Sequence, residues 1–327
     1  MKLLGLSCGR KMGNGELLLR EALMAADQVP GVDTELVRLQ DLSIQPCSGC
    51  IACVISVVEG GAGHCAKHRN DDFSFFEDLF YESDGIIVST PVYIMSPSGY
   101  FKTLCDRFGP SHDVGFAEVS KAMHGGVSEF DQRIYKRRIG GFISVGGAPL
   151  ANWTPMGLPL MYQFTFPMNV HVLDQMQVLS AGNSGQVLFQ GKTIQRAAKL
   201  GRNIAEGLLL PAADQKWMGD EDGTCPVCHS GLMVVGKTAT VECAVCGIQG
   251  TLKLENGQLD VTFSAEERAK SRLTMEGKRI HFKEIGEVTG EFMAVKHELP
   301  AKLEKYRSYP LKIAKPRREQ LAQLAER

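Results

Sequence analysis

Eight of the ten cysteines in this 327-residue chain fall into two tight groups. The first group is Cys47-x2-Cys50-x2-Cys53-x11-Cys65, and the second is Cys225-x2-Cys228-x14-Cys243-x2-Cys246. In a chain of this size with no secretory h-region at its start, such spacing is typical of metal ligation rather than of disulfides. The cysteines therefore predict two inorganic sites in a protein of the reducing cytoplasm. Cys8 and Cys105 stand alone and are expected to be small buried apolar residues.

The second group has the pattern of the two CxxC knuckles of a metal ribbon. Two CxxC pairs at this spacing usually close a tetrahedral Cys₄ zinc site, with Cys225, Cys228, Cys243 and Cys246 as ligands. Rubredoxin-like iron uses similar knuckles and is the alternative. A segment as short as residues 224–263 cannot bury a sufficient core, so we expect it to depend on its metal for folding.

The first group has the closer spacing of a cluster site. Thiolates at i, i+3 and i+6 (Cys47, Cys50 and Cys53) can surround one cubane, and Cys65 would complete the ligation of a [4Fe–4S] cluster. Zinc, or thiols without any cluster, are the alternatives. The nearby His64 and His68 could be ligands, but they are interpreted as polar residues of a loop.

Three glycine-bearing loops predict a site for a phosphate and a planar ring. The first, residues 7–15, joins a strand directly to a helix, where backbone N–H groups can bind an anion. It fits neither GxGxxG nor the P-loop pattern. The second, residues 89–99, offers apolar surface after a proline turn, and glycines of the third, residues 144–149, allow close approach to a ring edge. The candidate cofactor-binding residues are Ser7, Arg10, Lys11, Gly13, Asn14, Pro91, Val92, Tyr93, Ile94, Gly146 and Gly147.

The elements that position these loops alternate between strand and helix. Apolar runs predict strands at residues 2–6, 34–39, 85–90, 139–145 and 170–179, and helical spacing predicts helices at 16–27, 71–82, 98–108 and 193–209. Uniformly apolar strands in this rhythm indicate an α/β fold, a doubly wound, five-stranded parallel sheet of the flavodoxin-like type. All three loops and the first cysteine group then lie at the carboxyl edge of one sheet. Residues 109–137 look like an insertion.

Composition shifts divide the chain into three predicted parts. Residues 1–210 form the flavodoxin-like domain, which includes the cysteine loop at 46–70. Residues 211–263 form the zinc-ribbon-like domain, and residues 264–327 form a helical, basic extension that begins near Ser264. The stretch 296–318 holds eight Lys and Arg against two Glu, but the net charge of the whole chain is −1. Neither nucleic acid nor membrane is expected as a partner, because the charge is near neutral and no apolar run is long enough to span a bilayer.

Residues 1 to about 205 resemble the NADPH-dependent FMN reductase family. That family has segments close to GSPRKxGNT, DGIIxxSPVY and GxxKxxxDR, which stand here as SCGRKMGNG, DGIIVSTPVY and GYFKTLCDR. The first loop is one residue shorter here, with Gly9 in place of proline and Gly15 in place of threonine. The resemblance implies FMN held by the three loops, reduction by NAD(P)H, and a homodimer or homotetramer that completes the flavin site.

The first cysteine group resembles the iron–sulfur flavoprotein branch of the same family. There, too, a compact trio is followed by a cysteine that precedes an Asp-Asp helix start, as Cys65 precedes Asp71 and Asp72 here. The gap before the fourth cysteine is longer in this chain.

The leading functional prediction is an FMN-dependent oxidoreductase that passes electrons between NAD(P)H, or another reduced donor, and an acceptor through FMN and a [4Fe–4S] cluster. A flavin beside a cluster converts two-electron into one-electron transfer, and this role needs no catalytic acid or nucleophile. Two alternatives remain. One is an NAD(P)H-dependent FMN, quinone or nitro-compound reductase without a cluster, and the other is a flavin-based redox sensor with a ribbon output domain. The sequence names neither the donor nor the acceptor.

Overall fold

The structure, a computed structural model, describes residues 1–311 and residue 314. Residues 1–279 form one compact unit, and a second unit begins at Ile280. The predicted boundary near residue 210 stays a prediction. Lys312, Lys315, Arg317 and Arg318 of the basic stretch lie outside the described residues. In the described part of the chain, no helix has both the length and the apolar character needed to cross a bilayer.

The larger unit is built on a parallel sheet. Five strands lie in the order β2-β1-β3-β5-β6, and the short β4 pairs with β3 in antiparallel orientation. This order is that of the doubly wound flavodoxin-like fold, so the predicted fold class is confirmed. The strands are β1 (Lys2–Ser7), β2 (Asp33–Arg38), β3 (Gly85–Tyr93), β4 (Ser96–Pro97), β5 (Arg138–Val145) and β6 (Val170–Val178).

Helices cover both faces of this sheet. The predicted helices are present within a few residues of their predicted ends, and the insertion at 109–137 contains one helix and short 3₁₀ turns. In chain order the helices of this part are α1 (Asn14–Asp27), α2 (Ala52–Val58), α3 (Phe73–Glu82), α4 (Gly99–Cys105), α5 (Val114–Met123), α6 (Gly157–Met161), α7 (Thr165–Met168) and α8 (Gly191–Leu209).

Close packing of α1 and α8 covers one face. A Cβ at Gly201 of α8 would lie 1.9 Å from the carbonyl oxygen of Ala22 in α1, so only glycine permits this helix contact. Leu18, Leu19 and Ile204 are fully buried there. The inner strand β5 is buried along its whole length, which explains why only apolar and small residues follow Arg138 at its start.

The opposite face is aromatic and includes the second cysteine group. Phe73, Phe76, Phe80, Phe108 and Phe164 contact one another through tilted, stacked or edge-to-face rings. The four ribbon cysteines belong to the same buried apolar cluster. The ribbon therefore packs on the sheet domain as part of one core.

The remaining elements are the ribbon and the C-terminal helices. The ribbon is an antiparallel sheet of order β10-β9-β8-β7. Ser264 caps the next helix, since its Oγ accepts a hydrogen bond from the Glu267 N–H at 3.1 Å. These elements are β7 (Met233–Val235), β8 (Thr240–Cys243), β9 (Gln249–Glu255), β10 (Gln258–Thr262), α9 (Ala265–Ala269), α10 (Met275–Val295) and α11 (Leu299–Ser308).

Candidate functional site

A cavity of about 240 Å³ lies at the carboxyl edge of the parallel sheet, where the ends of β1, β3 and β5 meet. This is the position at which open α/β sheets bind ligands. Seven of the predicted cofactor-binding residues line it, together with five that were not predicted. The lining consists of Gly9, Arg10, Gly13, Asn14, Gly15, Pro91, Val92, Tyr93, Val145, Gly147, Ala181 and Gly182.

The loop after β1 turns tightly onto the start of α1. Met12 adopts φ 55°, and the Gly13 N–H donates to the Arg10 carbonyl at 3.0 Å. A Cβ at Gly13 would lie 2.8 Å from Arg10 Cγ and 3.0 Å from the Arg10 carbonyl oxygen, so a larger residue would crowd the turn. The free N–H groups of the first turn of α1 face this end of the helix, and Arg10 adds a positive charge. Lys11 is exposed and does not line the cavity.

Asn14 holds two loops together. Its side-chain amide donates to the carbonyls of Ala181 and Asn183, both at 2.7 Å. Both N–H donors of the side chain therefore bind protein carbonyls, so Asn14 fixes the loop after β6 at the cavity that it also lines. Its role in cofactor binding stays a prediction.

The second loop ends in a strained apolar turn. Ser98 Oγ donates to the Cys8 carbonyl at 2.8 Å and so joins this loop to the first. Between Tyr93 and Ser96, which pair in the sheet, Ile94 and Met95 both have positive φ, at 47° and 70°. A β-branched residue in that region is unusual, and such strain is concentrated at functional sites. Ile94 is 95% exposed, beside the cavity rather than in its wall.

The third loop packs against a fourth that the sequence did not reveal. Gly146 donates to Val178 at 2.8 Å and accepts from Ala181 at 3.0 Å. A Cβ at Gly147 would lie 3.1 Å from Gly182 Cα, so these two glycines let the loops meet at the cavity. Gly146 is needed for packing against Thr154, because a Cβ added at this position would lie 2.3 Å from Thr154 Cγ2. Ala181 and Gly182 carry no polar side chain, which is why sequence reasoning missed them.

The donors fit a phosphate-bearing flavin ligand. Ser7 Oγ is buried at the end of β1 and has no hydrogen-bond partner among the described residues. A pocket that buries a whole ligand usually measures about 300–1,000 Å³. The cavity is smaller, so it would hold the phosphate end of FMN rather than the whole molecule.

The first cysteine group lies on the loop after β2 and around α2. Cys47 and Cys50 are exposed, whereas Cys53 and Cys65 are partly buried. Hydrogen bonds from the Ala52 N–H and from Ser48 lower the pKa of Cys50, and burial raises the pKa of Cys53. Within the described residues, no three of these thiols lie within 4.8 Å of one another, so they do not form a preassembled site for a single ion such as zinc. A cubane binds each thiolate at a separate iron and does not need that closeness.

A buried ion pair anchors this cysteine loop to the sheet domain. Arg107 is 1% exposed, forms an ion pair with Asp71 and donates to the Gln45 carbonyl at 2.9 Å. Asp71 also accepts from the Gln45 N–H at 2.8 Å. Burial lowers the pKa of Arg107, but Asp71 and the neighbouring Cys65 raise it more. The two ends of the loop therefore meet at one fixed point, with the Cys65 thiol close to a guanidinium.

The second cysteine group is fully assembled. All four thiols are buried, and their sulfurs lie within 4.8 Å of one another. Cys225 Sγ lies 3.4 Å from Cys246 Sγ, and Cys228 Sγ lies 3.4 Å from Cys243 Sγ. These distances are far longer than a disulfide bond and close to the roughly 3.8 Å that separates ligands in a tetrahedral zinc–thiolate site. The donors therefore fit a mononuclear metal ion.

The sheet order and the cavity define a flavodoxin-like, FMN-binding class of protein. The sequence model described as NADPH-dependent FMN reductase matches residues 1–153. A protein named flavone synthase from Aspergillus candidus is 32% identical over 291 residues, which cover 87% of this chain and 88% of that protein. The chain therefore belongs to the NADPH-dependent FMN reductase family and is an FMN-dependent oxidoreductase.

Two further relatives differ in how much of the chain they match. A solved structure called flavone reductase superposes with a TM-score of 0.79 at 29% identity and covers 97% of this chain and 100% of its own. An iron–sulfur flavoprotein from Methanocaldococcus jannaschii is 38% identical over 117 residues, only 36% of this chain and 55% of that protein. Similarity to the flavone proteins thus extends through the ribbon, whereas similarity to this iron–sulfur flavoprotein covers about a third of the chain.

Proposed function

We propose that this protein is an NAD(P)H-linked, FMN-dependent oxidoreductase whose organic substrate is a flat aryl enone of the flavone type. The observation that carries the proposal is the full-length similarity to a flavone synthase and to a flavone reductase. Their names describe opposite directions of redox chemistry on one kind of molecule. A flavin site can exchange hydride in either direction, so one architecture serves both.

The rim of the cavity supports this substrate class. We assign to the rim four large, exposed side chains: Tyr93 and Met95 of the second loop, and Leu150 and Trp153, which follow the third loop. Such surfaces bind flat aromatic ligands through apolar contact and ring stacking. In the proposed arrangement the cavity takes the phosphate end of FMN, the isoalloxazine ring lies at the mouth, and the rim receives the substrate. The same exposed rim is the surface that the predicted homodimer or homotetramer would cover.

The substrate class is tested by steady-state turnover under nitrogen. FMN-loaded protein is incubated with NADH or NADPH and flavone itself, and the product is analysed by mass spectrometry. We expect NAD(P)H oxidation that depends on flavone and a product two mass units heavier. Reduction of free FMN or menadione at a good rate, with no conversion of flavone, would instead identify a general flavin or quinone reductase.

A pair of variants assigns the rim to the substrate. Trp153→Ala is expected to raise KM for flavone about tenfold, the effect of losing a stacked aromatic contact worth roughly 1–1.5 kcal/mol, while FMN content is unchanged. Met24→Ala removes an equally exposed apolar side chain on α1 and serves as the control. Equal KM values in the two variants would show that Trp153 does not contact the substrate.

The second candidate function adds a [4Fe–4S] cluster held by Cys47, Cys50, Cys53 and Cys65. It is supported by the lowered pKa of Cys50, which favours the thiolate, and by the guanidinium of Arg107 near Cys65. Proteins named iron–sulfur flavoprotein are also among the relatives of this chain, at 38% and 32% identity over about a third of its length. Such a cluster would pass single electrons to or from the flavin.

Metal analysis after anaerobic purification distinguishes a reductase with a [4Fe–4S] cluster from one without it. A cluster predicts about four iron per chain and broad visible absorption beside that of the flavin. Cys50→Ser should then lose the iron, whereas Cys228→Ser should lose only the ribbon metal. Full flavin content without iron would support the reductase and contradict the proposed cluster. All ten cysteines are free thiols, and on that basis we place the protein in a reducing compartment such as the cytoplasm.

A further inference from the structure

A group of imidazoles and one carboxylate lies beneath the first cysteine loop and belongs to neither cysteine site. His64 and His68 flank Cys65, and Glu77 lies in the middle of α3. One donor atom from each of these three residues lies within 4.8 Å of the other two. His68 Nε2 is 3.4 Å from Glu77 Oε2. The sequence hides this group, because its members come from a loop and a helix and have no motif spacing.

Glu77 is a buried carboxylate without a Lys or Arg partner among the ion pairs of the described residues. Its side chain is 6% exposed, and its neighbours are His68 and His112, whose Nε2 lies 2.8 Å from Oε1. A buried carboxylate of this kind needs a polar or positive partner.

Several buried polar atoms in the group lack hydrogen bonds. In the part of the chain that the structure describes, Glu77 Oε1, His68 Nδ1 and His112 Nε2 have none of acceptable geometry. Glu77 Oε1 and His112 Nε2 are close to each other but are not aligned as acceptor and donor. Buried polar atoms are rarely left unsatisfied, because each has lost its hydrogen bonds to water.

We propose that His64, His68 and Glu77 form a second mononuclear zinc site, with one coordination position open to water. Two imidazoles and one carboxylate are a common ligand set for zinc with an open position. Ligands about 2.1 Å from a tetrahedral ion are separated by about 3.4 Å, which matches the distance between His68 Nε2 and Glu77 Oε2. His64 is exposed, so solvent reaches the open position. His112 lies beside the other carboxylate oxygen, Glu77 Oε1, and is outside the proposed ligand set.

The site would fasten the cysteine loop to the sheet domain. His64 and His68 lie on either side of Cys65, and Glu77 belongs to the helix that covers the aromatic face. A bound ion would therefore fix the position of the Cys65 thiol, whether or not a cluster is present. The proposal is independent of the proposed substrate.

The test is binding of Zn²⁺ alone to the full, FMN-loaded chain, after treatment with a weak chelator. We compare the wild type, His64→Ala and the control His297→Ala by calorimetry, metal analysis and thermal unfolding. His64 is exposed, so its replacement should not prevent folding. We expect His64→Ala to lose one zinc equivalent, or to bind it about 100-fold more weakly, a change at least as large as that for outer-shell partners. Zinc should raise the Tm of the wild type and of His297→Ala more than that of His64→Ala.

Cobalt distinguishes this site from the thiols. Co²⁺ bound by imidazole and carboxylate lacks the thiolate-to-cobalt charge-transfer absorption that a cysteine site gives. We expect one cobalt equivalent without that absorption, retained in Cys65→Ser and lost in Glu77→Gln. Equal zinc stoichiometry and affinity in the wild type and His64→Ala would overturn the proposal. So would a wild type in which every bound equivalent shows thiolate absorption.

Discussion

At the scale of single residues, the clearest functional signal is strain beside the cavity. Ile94 and Met95 form a two-residue turn in which both φ angles are positive, although neither residue is glycine. Each such residue costs about 1–3 kcal/mol and persists only where something else favours it. We interpret the turn as a device that presents apolar side chains at the mouth of the flavin site.

Replacing Ile94 by glycine should separate stability from function. Ile94→Gly removes the strain and should stabilise the fold by about 1 kcal/mol, measured by urea unfolding, while KM for the aryl substrate rises. The control Val127→Gly alters an exposed apolar residue with ordinary backbone angles and should cost about 0.5–1 kcal/mol. A loss of stability in Ile94→Gly equal to that of the control would show that the turn is not strained.

The side chain of Arg138 is fully buried. Among the described residues, none of its hydrogen bonds goes to a carboxylate. Burial lowers its pKa to about 10. Its guanidinium instead donates to five backbone carbonyls at 2.7–3.2 Å, those of Phe80, Tyr81, Ser83, Arg133 and Lys136. Three of these acceptors lie at the end of α3, where a cation is favoured.

Arg138→Met should therefore cost about 3–5 kcal/mol in the free energy of unfolding, because it leaves several buried carbonyls unsatisfied. The adjacent and more exposed Arg137→Met is the control and should cost under about 1 kcal/mol. Chemical denaturation at neutral pH measures both. Similar midpoints for the two variants would mean that water replaces the guanidinium at α3.

At the scale of elements, the helix that begins at the phosphate loop is tied to β2 by one buried carboxylate. Glu16 Oε2 lies 2.7 Å from Arg38 Nε, and Oε1 lies 2.9 Å from both Arg38 Nη2 and Arg20 Nε. Burial raises the pKa of Glu16, but the arginines and the Met12 backbone outweigh it, so the net pKa lies below the usual value of 4.5.

This pairing predicts a pH dependence with a definite sign. A carboxylate whose pKa is lower in the folded state contributes stability above its unfolded pKa and loses it as the pH falls through the folded value. Glu16→Gln should be about 3 kcal/mol less stable than the wild type at pH 7. The difference should shrink below about pH 4.5. A constant difference from pH 7 to pH 3 in urea unfolding would contradict the assigned pairing.

The sequence predicted those elements and site residues whose signals are local. The parallel α/β fold follows from uniformly apolar runs alternating with amphipathic helices, and Gly13 follows from a glycine-bearing loop between a strand and a helix. The sequence placed Asn14 at the cofactor site, but nothing local reveals that its amide also reaches Ala181 across 167 positions. Gly182, His68 and Glu77 depend in the same way on contacts between distant segments, so their roles emerge only from the fold.

At the scale of the whole molecule, the ribbon and the flavin domain share one core. The four ribbon thiols pack in the same apolar cluster as Phe142 and Tyr162 of the sheet domain. Lys278, near the start of α10, is fastened to the same unit through Asp113 Oδ1 at 2.9 Å and the Phe166 carbonyl at 2.7 Å. The ribbon is therefore a structural continuation of the domain rather than a separate attachment.

Removal of the ribbon metal should unfold the ribbon before the sheet. A short segment that closes around a metal has little stability of its own. Strong chelation of the wild type, or Cys228→Ser, should increase hydrogen exchange of residues 224–263 by several orders of magnitude while the amides of β1, β3 and β5 stay protected. Exchange in the ribbon that is unchanged after the metal has been shown to leave would refute this dependence.

In the proposed function, the flavin site transfers hydride to a flat aryl enone. Single-turnover spectroscopy is a direct test of this transfer. FMN bound to the protein is reduced under nitrogen with one equivalent of NADPH and then mixed with excess flavone. We predict that the visible absorption of oxidised flavin returns in step with one equivalent of reduced product per FMN. A flavin that stays reduced with flavone, yet reoxidises at once with a quinone, would contradict the proposed substrate and leave a general reductase.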